Sequence, residues 1–268
     1  MASSSVTTSS ESRLDRAWQE LRARGRTALV PFLTAGHPDR GASLDALRAA
    51  AEFADIIEIG VPFSDPLADG PTIQAATFRA LDQGMTLPRT LELIDAAQLD
   101  IPVVLFSYLN PILQYGVERL VSDAASLGVA GLLLTDLPAG ADREVEATVI
   151  DSPLDLIRLV APTSSADRIG RAVADAQGFI YLVSRLGVTG VAENLAAGLA
   201  DSVAAVREQT SLPVAVGFGI STPEHATAVA GLADGVVVGS ALVATLESEG
   251  VTAMASLLSS LRDAIDAA

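Results

Sequence analysis

The sequence predicts an α/β fold, a single (β/α)8 TIM barrel with one additional N-terminal helix, and three observations carry that expectation. The chain has 268 residues, a length that one such barrel fills without a second domain. Half of the residues are hydrophobic but aromatics supply only 4%. The core must therefore come from Ala, Val, Leu and Ile, a composition suited to parallel strands covered by helices. Short β-branched runs also alternate with longer Ala-rich segments of helical period from about Thr27 to the C terminus. An open, doubly wound sheet alternates in the same way. Eight units, and no Gly-x-Gly-x-x-Gly fingerprint after the first strand, favour closure.

In chain order, Met1 to Ser12 is dominated by Ser and Thr and has no apolar core, so it reads as a disordered tail. Residues 13–268 then form the barrel. An amphipathic segment from Ser12 to Arg24 precedes the first strand and suits a helix closing the barrel floor. The expected strands are Ala28–Thr34, Asp55–Gly60, Ile101–Ser107 and Val129–Asp136, then Leu154–Val160, Phe179–Ser184, Leu212–Gly217 and Gly235–Gly239. Each is followed by a helix-like stretch of a length that fits a βα crossover.

Charge and composition exclude several classes of function. With 33 acidic and 17 basic side chains the net charge is −16, which repels nucleic acid and anionic membrane surfaces. No run approaches the roughly 20 apolar residues that cross a bilayer as a helix. Without cysteine there is neither a disulfide framework nor a thiolate metal site, and a cytoplasmic location is expected.

Barrel enzymes place their chemistry where strands end and loops begin. Glu58 interrupts the apolar run Asp55–Phe63, where strand alternation can aim its carboxylate into the barrel mouth. Equally, it can pair with a cation at the strand end. The following loop, Val61–Pro71, holds three prolines that restrict its backbone, with Asp65 and Asp69 as candidate polar groups. Both aspartates also suit ordinary turns. Asp136 ends the fourth strand and Tyr181 lies within the sixth, where it is either a packed aromatic or a site residue. Ser184–Gly190 contains two glycines able to hinge a lid, and Arg185 in it either binds phosphate or pairs on the surface. Gly217–Glu224 and Gly239-Ser240 offer backbone amides where barrels commonly bind phosphate, and such amides need no basic patch. Ser221 and Glu224 have capping-box spacing, with Pro223 in the first turn. His37 and His225 fit neither a metal cluster nor the chemistry of these loops and are expected bystanders.

Glu58 with the loop Gly60–Pro71, then Ser184–Gly190, then Val216–Ser221 resembles the tryptophan synthase α family. Leu29–Gly36, Tyr108–Pro111 and Leu134–Pro138 support the resemblance, which covers nearly the whole chain. It implies retro-aldol cleavage of indole-3-glycerol phosphate into indole and glyceraldehyde 3-phosphate. Glu58 would be the general acid/base and Asp69 the group at the indole nitrogen, with Tyr181 as a third catalytic-site residue. Phe106, Tyr108, Asp136 and Phe218 would contact substrate, and Gly190, Gly219, Gly239 and Ser240 would hold its phosphate. Arg185 and Thr189 would belong to the lid. The family also implies an α2β2 complex that passes indole to a β subunit for joining to serine, with Asp65, Asn110 and Pro138 facing it. Pyridoxal phosphate would be confined to that partner, leaving no cofactor or metal in this chain. A lyase that releases free indole without a partner, and a weakly catalytic interaction subunit, are the alternatives.

Overall fold

The computed structural model describes residues 11–184, 192–217 and 219–268. The elements run α1 (Arg13–Ala23), β1 (Ala28–Thr34), α2 (Arg40–Ala51), β2 (Ile57–Gly60), α3 (Pro71–Asp82), α4 (Leu87–Ala97) and β3 (Val103–Ser107). They continue α5 (Leu109–Tyr115), α6 (Val117–Ser126), β4 (Val129–Leu134), α7 (Arg143–Ile150), β5 (Asp155–Val160), α8 (Ala166–Ala174) and β6 (Ile180–Val183). The chain closes with α9 (Ala192–Arg207), β7 (Val214–Gly217), α10 (Pro223–Ala230), β8 (Gly235–Val238), α11 (Ser240–Glu249) and α12 (Val251–Asp266). The eight strands form a closed parallel barrel in sequence order, and β8 returns to β1 through Ala28 opposite Gly235.

Both faces of every strand are covered, which is why the strands read as continuous apolar runs. In β1, Ala28, Val30 and Phe32 point into the barrel, while Leu29 and Leu33 meet the helices outside. The same alternation turns Glu58 inward, because Ile57 and Ile59 on either side of it belong to the outer layer. Pairing stops before burial does. The strands are thus one or two residues shorter than most of the apolar runs, and β4 ends at Leu134, leaving Thr135 and Asp136 in the turn.

The extra N-terminal helix closes the floor as expected. Leu14, Trp18 and Leu21 recur at helical spacing and are buried, and the Trp18 ring lies 5.5 Å from that of Phe179. Small residues at the strand starts make room for it: a Cβ on Gly235 would come within 2.8 Å of Trp18. Residues 1–10 lie outside the described residues, but Ser12, placed by the sequence at the end of the tail, is part of the fold. Its hydroxyl accepts from Asp15 N–H at 3.0 Å in a complete capping box and donates to Asp155 at 2.6 Å. Among the described residues no helix is long and apolar enough to cross a membrane.

Candidate active site

Glu58 sits in register between Phe32 of β1 and Val104 of β3. It is fully buried, and among the described residues neither carboxylate oxygen has a hydrogen-bond partner. Removing a charged carboxylate from water without compensation is costly, so burial pushes the Glu58 carboxyl up to about 8. At neutral pH this residue is a carboxylic acid holding its proton.

Asp69 comes from the loop between β2 and α3. That loop is shaped by its own backbone, with Leu67 N–H on the Asp65 carbonyl and Asp69 N–H on the Pro66 carbonyl. Gln74 ties it down by donating to the carbonyls of Pro66 and Asp69. The Asp69 carboxylate accepts from the Tyr108 hydroxyl at 3.0 Å. Burial raises its pKa, and the tyrosine bond opposes the rise.

Tyr181 projects inward from β6, buried, with its ring 6.4 Å from that of Phe106. Its hydroxyl is held far above the usual phenol range by burial and then by the charges of Glu58 and Asp69. Gly217 makes its position possible, since a Cβ there would sit 2.1 Å from the Tyr181 oxygen.

Asp69 and Tyr181 line a cavity of 280 Å³ at the C-terminal end of the strands. One part of its wall is apolar, made by Phe32, Ile73, Phe106, Val237 and the Tyr181 ring. Another is small and polar, from Gly219, Ser221, Gly239 and Ser240. Ser240 opens α11 without a side-chain cap, so the first-turn amides remain available to an anion. The arrangement suits a ligand with a flat apolar body and an anionic end.

The structure thus gathers Asp69, Phe106, Tyr181, Gly219, Gly239 and Ser240 around one cavity, with the Glu58 carboxyl in the adjoining barrel interior. Two expected substrate contacts, Tyr108 and Asp136, are not among the described residues that line this cavity. Tyr108 is not on the cavity wall: its hydroxyl is engaged by Asp69 and by Ala68 N–H at 2.9 Å. Asp136 is exposed and accepts from Leu109 N–H at 2.7 Å, so it caps the start of α5. The capping box read at Ser221 is also displaced by one residue, because Thr222 caps α10 and accepts from His225 N–H. Pro223 then occupies the first helical turn, where its missing N–H costs nothing. Asp65, Asn110 and Pro138 are exposed. Arg185, Thr189, Gly190 and Phe218 lie outside the described residues.

Neither His37 nor His225 lines the cavity. His37 is buried elsewhere, 3.3 Å from Glu247, which also pairs with Arg79. Among the described residues no three His, Asp or Glu side chains gather as metal ligands. Phe32, Ile73 and Val237 line the cavity without having been singled out in the sequence. Inward alternation was available for Phe32, which lies directly opposite Glu58.

Comparison with known proteins follows the same outline. The family model described as tryptophan synthase alpha chain matches residues 18–264. The tryptophan synthase alpha chain of Geobacter sulfurreducens is 47% identical over 261 residues, 95% of this chain and 99% of that one. That of Synechococcus elongatus is 48% identical over 250 residues, 92% of this chain and 94% of the other. Among solved structures, a tryptophan synthase from M. tuberculosis in an aminoacrylate-bound form superposes with a TM-score of 0.86 at 37% identity. It covers 95% of this chain and 99% of that one. Tryptophan synthase subunit alpha from Legionella pneumophila gives a TM-score of 0.87 at 35% identity, covering 96% and 99%.

Proposed function

Because this chain belongs to the tryptophan synthase alpha chain family, we propose a division of labour among its barrel-mouth residues for that family's reaction. The chain is a lyase of tryptophan biosynthesis, cleaving indole-3-glycerol phosphate into indole and glyceraldehyde 3-phosphate. One observation carries the assignment of residues: a buried carboxylic acid, Glu58, unpartnered among the described residues, lies in the barrel interior next to a mouth that holds a second carboxylate fixed by a tyrosine.

Cleavage needs the indole ring to become an electron sink. Neutral Glu58 gives its proton to indole carbon 3, and the positive charge that develops on the ring is stabilised by ionised Asp69 at the ring nitrogen. Glu58, now a carboxylate, removes the proton from the hydroxyl on the adjoining side-chain carbon. The carbon–carbon bond breaks, its electrons return to the ring, and the side chain leaves as the aldehyde. One proton is given and one taken, so Glu58 ends as it began. Tyr181 and Phe106 pack against the indole, and the amides around Gly219, Gly239 and Ser240 receive the phosphate. Gly190 joins that phosphate site, Phe218 the indole wall, and Arg185 and Thr189 the covering loop. No cofactor or metal enters this sequence of steps.

Family membership brings a tryptophan synthase β subunit as partner. In our reading the assembly is α2β2, with pyridoxal phosphate confined to β and the complex in the cytoplasm. The exposed residues Asp65, Asn110 and Pro138 would face the partner. The exposed side chain of Leu67, 91% accessible at the tip of the Asp69 loop, supports a protein partner on this face.

Indole release by the purified chain, alone and with a β subunit, tests the assignment together with Glu58→Gln and Asp69→Asn. Each substitution should lower kcat by about 10²- to 10⁴-fold while leaving the fold intact. Turnover near that of the unaltered chain in either variant would remove that carboxylate from the mechanism. High activity without β would instead make this a free-standing lyase.

A further inference from the structure

Tyr108 stands where β3 passes into α5, is buried, and was expected in the substrate pocket. Its surroundings point elsewhere. The phenol oxygen makes two bonds to one loop, donating to Asp69 Oδ2 at 3.0 Å and accepting from Ala68 N–H at 2.9 Å. Its ring lies 5.2 Å from that of Phe63, which belongs to the same loop. The loop tip has little other packing, since Ser64, Asp65, Leu67 and Ala68 are all exposed. Tyr108 is a strut from the rigid barrel to that tip.

We propose that Tyr108 is a positioning residue for the cleavage step, fixing Asp69 as an ionised carboxylate with Oδ2 tied and Oδ1 left for the substrate. The inference rests on the role given to Asp69 above. Two consequences follow from one oxygen atom holding both carboxylate and backbone. The hydroxyl that aims the carboxylate is itself held by Ala68 N–H and carried by a buried ring at the end of β3, so the donor to Asp69 is fixed to the barrel. Donation into the charged form also opposes the rise in the Asp69 pKa that burial causes. Among the described residues, the other titratable groups facing this mouth are Glu58 from β2 and Tyr181 from β6, whose own pKa is raised by burial and by the charges of Glu58 and Asp69.

Tyr108→Phe keeps the ring and removes only the hydroxyl, so the variant should fold. We expect kcat to fall about 10- to 100-fold with little change in KM, the signature of lost aim and not of a lost substrate contact. The acid limb of the pH profile should move up by about one pH unit, the worth of one bond to a charged group. Carbon-13 NMR of labelled aspartate, with the Asp69 resonance identified from Asp69→Asn, should show the same upward shift without reference to turnover. In an Asp69→Asn background the Tyr108→Phe loss should largely vanish. A raised KM with unchanged kcat and titration would make Tyr108 a substrate contact and overturn the proposal. So would a loss that persists undiminished in the Asp69→Asn background. If Asp69→Asn itself turns over normally, the role of Asp69 fails; if that variant is dead while Tyr108→Phe is unaltered, only the strut fails.

Discussion

Asp55 and Glu58 are three residues apart, one just before β2 and the other within it, and their surroundings are opposite. Asp55 lies at the barrel floor, where its carboxylate accepts from Leu29 N–H at 2.9 Å and meets Arg262 at 3.0 Å and Arg26 at 3.2 Å. Glu58 lies in the interior toward the mouth and, among the described residues, meets no hydrogen-bond donor. Burial raises the pKa of both, but at Asp55 a backbone amide and two guanidinium groups pull the other way. A carboxylate at the floor works as a fastener between the strand starts and α12. The carboxyl of Glu58 has no fastening role and destabilises the fold when ionised, which is the behaviour expected of a group kept for chemistry.

The sharpest way to break the comparison is to remove a fastener. Arg262 is buried and binds Asp55, the Thr27 carbonyl and Asp266 together. Arg262→Ala should cost about 3–5 kcal/mol, toward the lower end because Arg26 remains beside Asp55. The midpoint of urea unfolding would report it, with kcat per folded molecule unchanged. A shift under roughly 1 kcal/mol would mean that the floor cluster carries no more than an exposed ion pair does.

Glu58→Gln should move stability the other way. The folded-state pKa is raised from 4.5 to about 8, so stability is fully present below 4.5 and is lost as the pH rises toward 8. The Gln variant has no such group. It should match the unaltered chain near pH 4.5 and exceed it by pH 7 on the order of 3 kcal/mol, while being inactive. Parallel stability profiles for the two proteins would show that Glu58 is solvated or paired in solution.

The same contrast explains what the sequence made legible. Strand order and closure followed from apolar runs that every strand must display to be buried on both faces. Glu58 and Asp69 stood out because an acid in such a run, or between prolines, is conspicuous. The tie from Tyr108 to Asp69 was not legible because its partner is 39 positions away, and Tyr-Leu-Asn-Pro carries no sign of it. Asp136 looked like a strand-end acid for the same reason: its bond to Leu109 N–H exists only once β3 and β4 are paired. Phe32, Ile73 and Val237 are indistinguishable by type from core residues, and only the closed barrel decides which of them border empty space.

The smallest expected effect concerns the cap that joins α1 to the floor. Ser12→Ala removes the acceptor for Asp15 N–H, which at an N-cap costs about 1 kcal/mol. It also removes the donor to Asp155, a buried carboxyl raised to about 6 by burial, lowered by the Ser12 bond and raised again by Asp15. Without the hydroxyl, Asp155 should titrate higher still. A raised carboxyl contributes stability below its unfolded value of 3.8, and that stability is lost as the pH climbs through its folded value. The variant should therefore lose about 1 kcal/mol at pH 4, where Asp155 keeps its proton, and roughly twice that at pH 8, where a charged acceptor has lost its donor. Denaturant unfolding at the two pH values reads the difference directly. A penalty that is the same at both would leave Ser12 as a helix cap alone and give the fastening of Asp155 to another group at the floor.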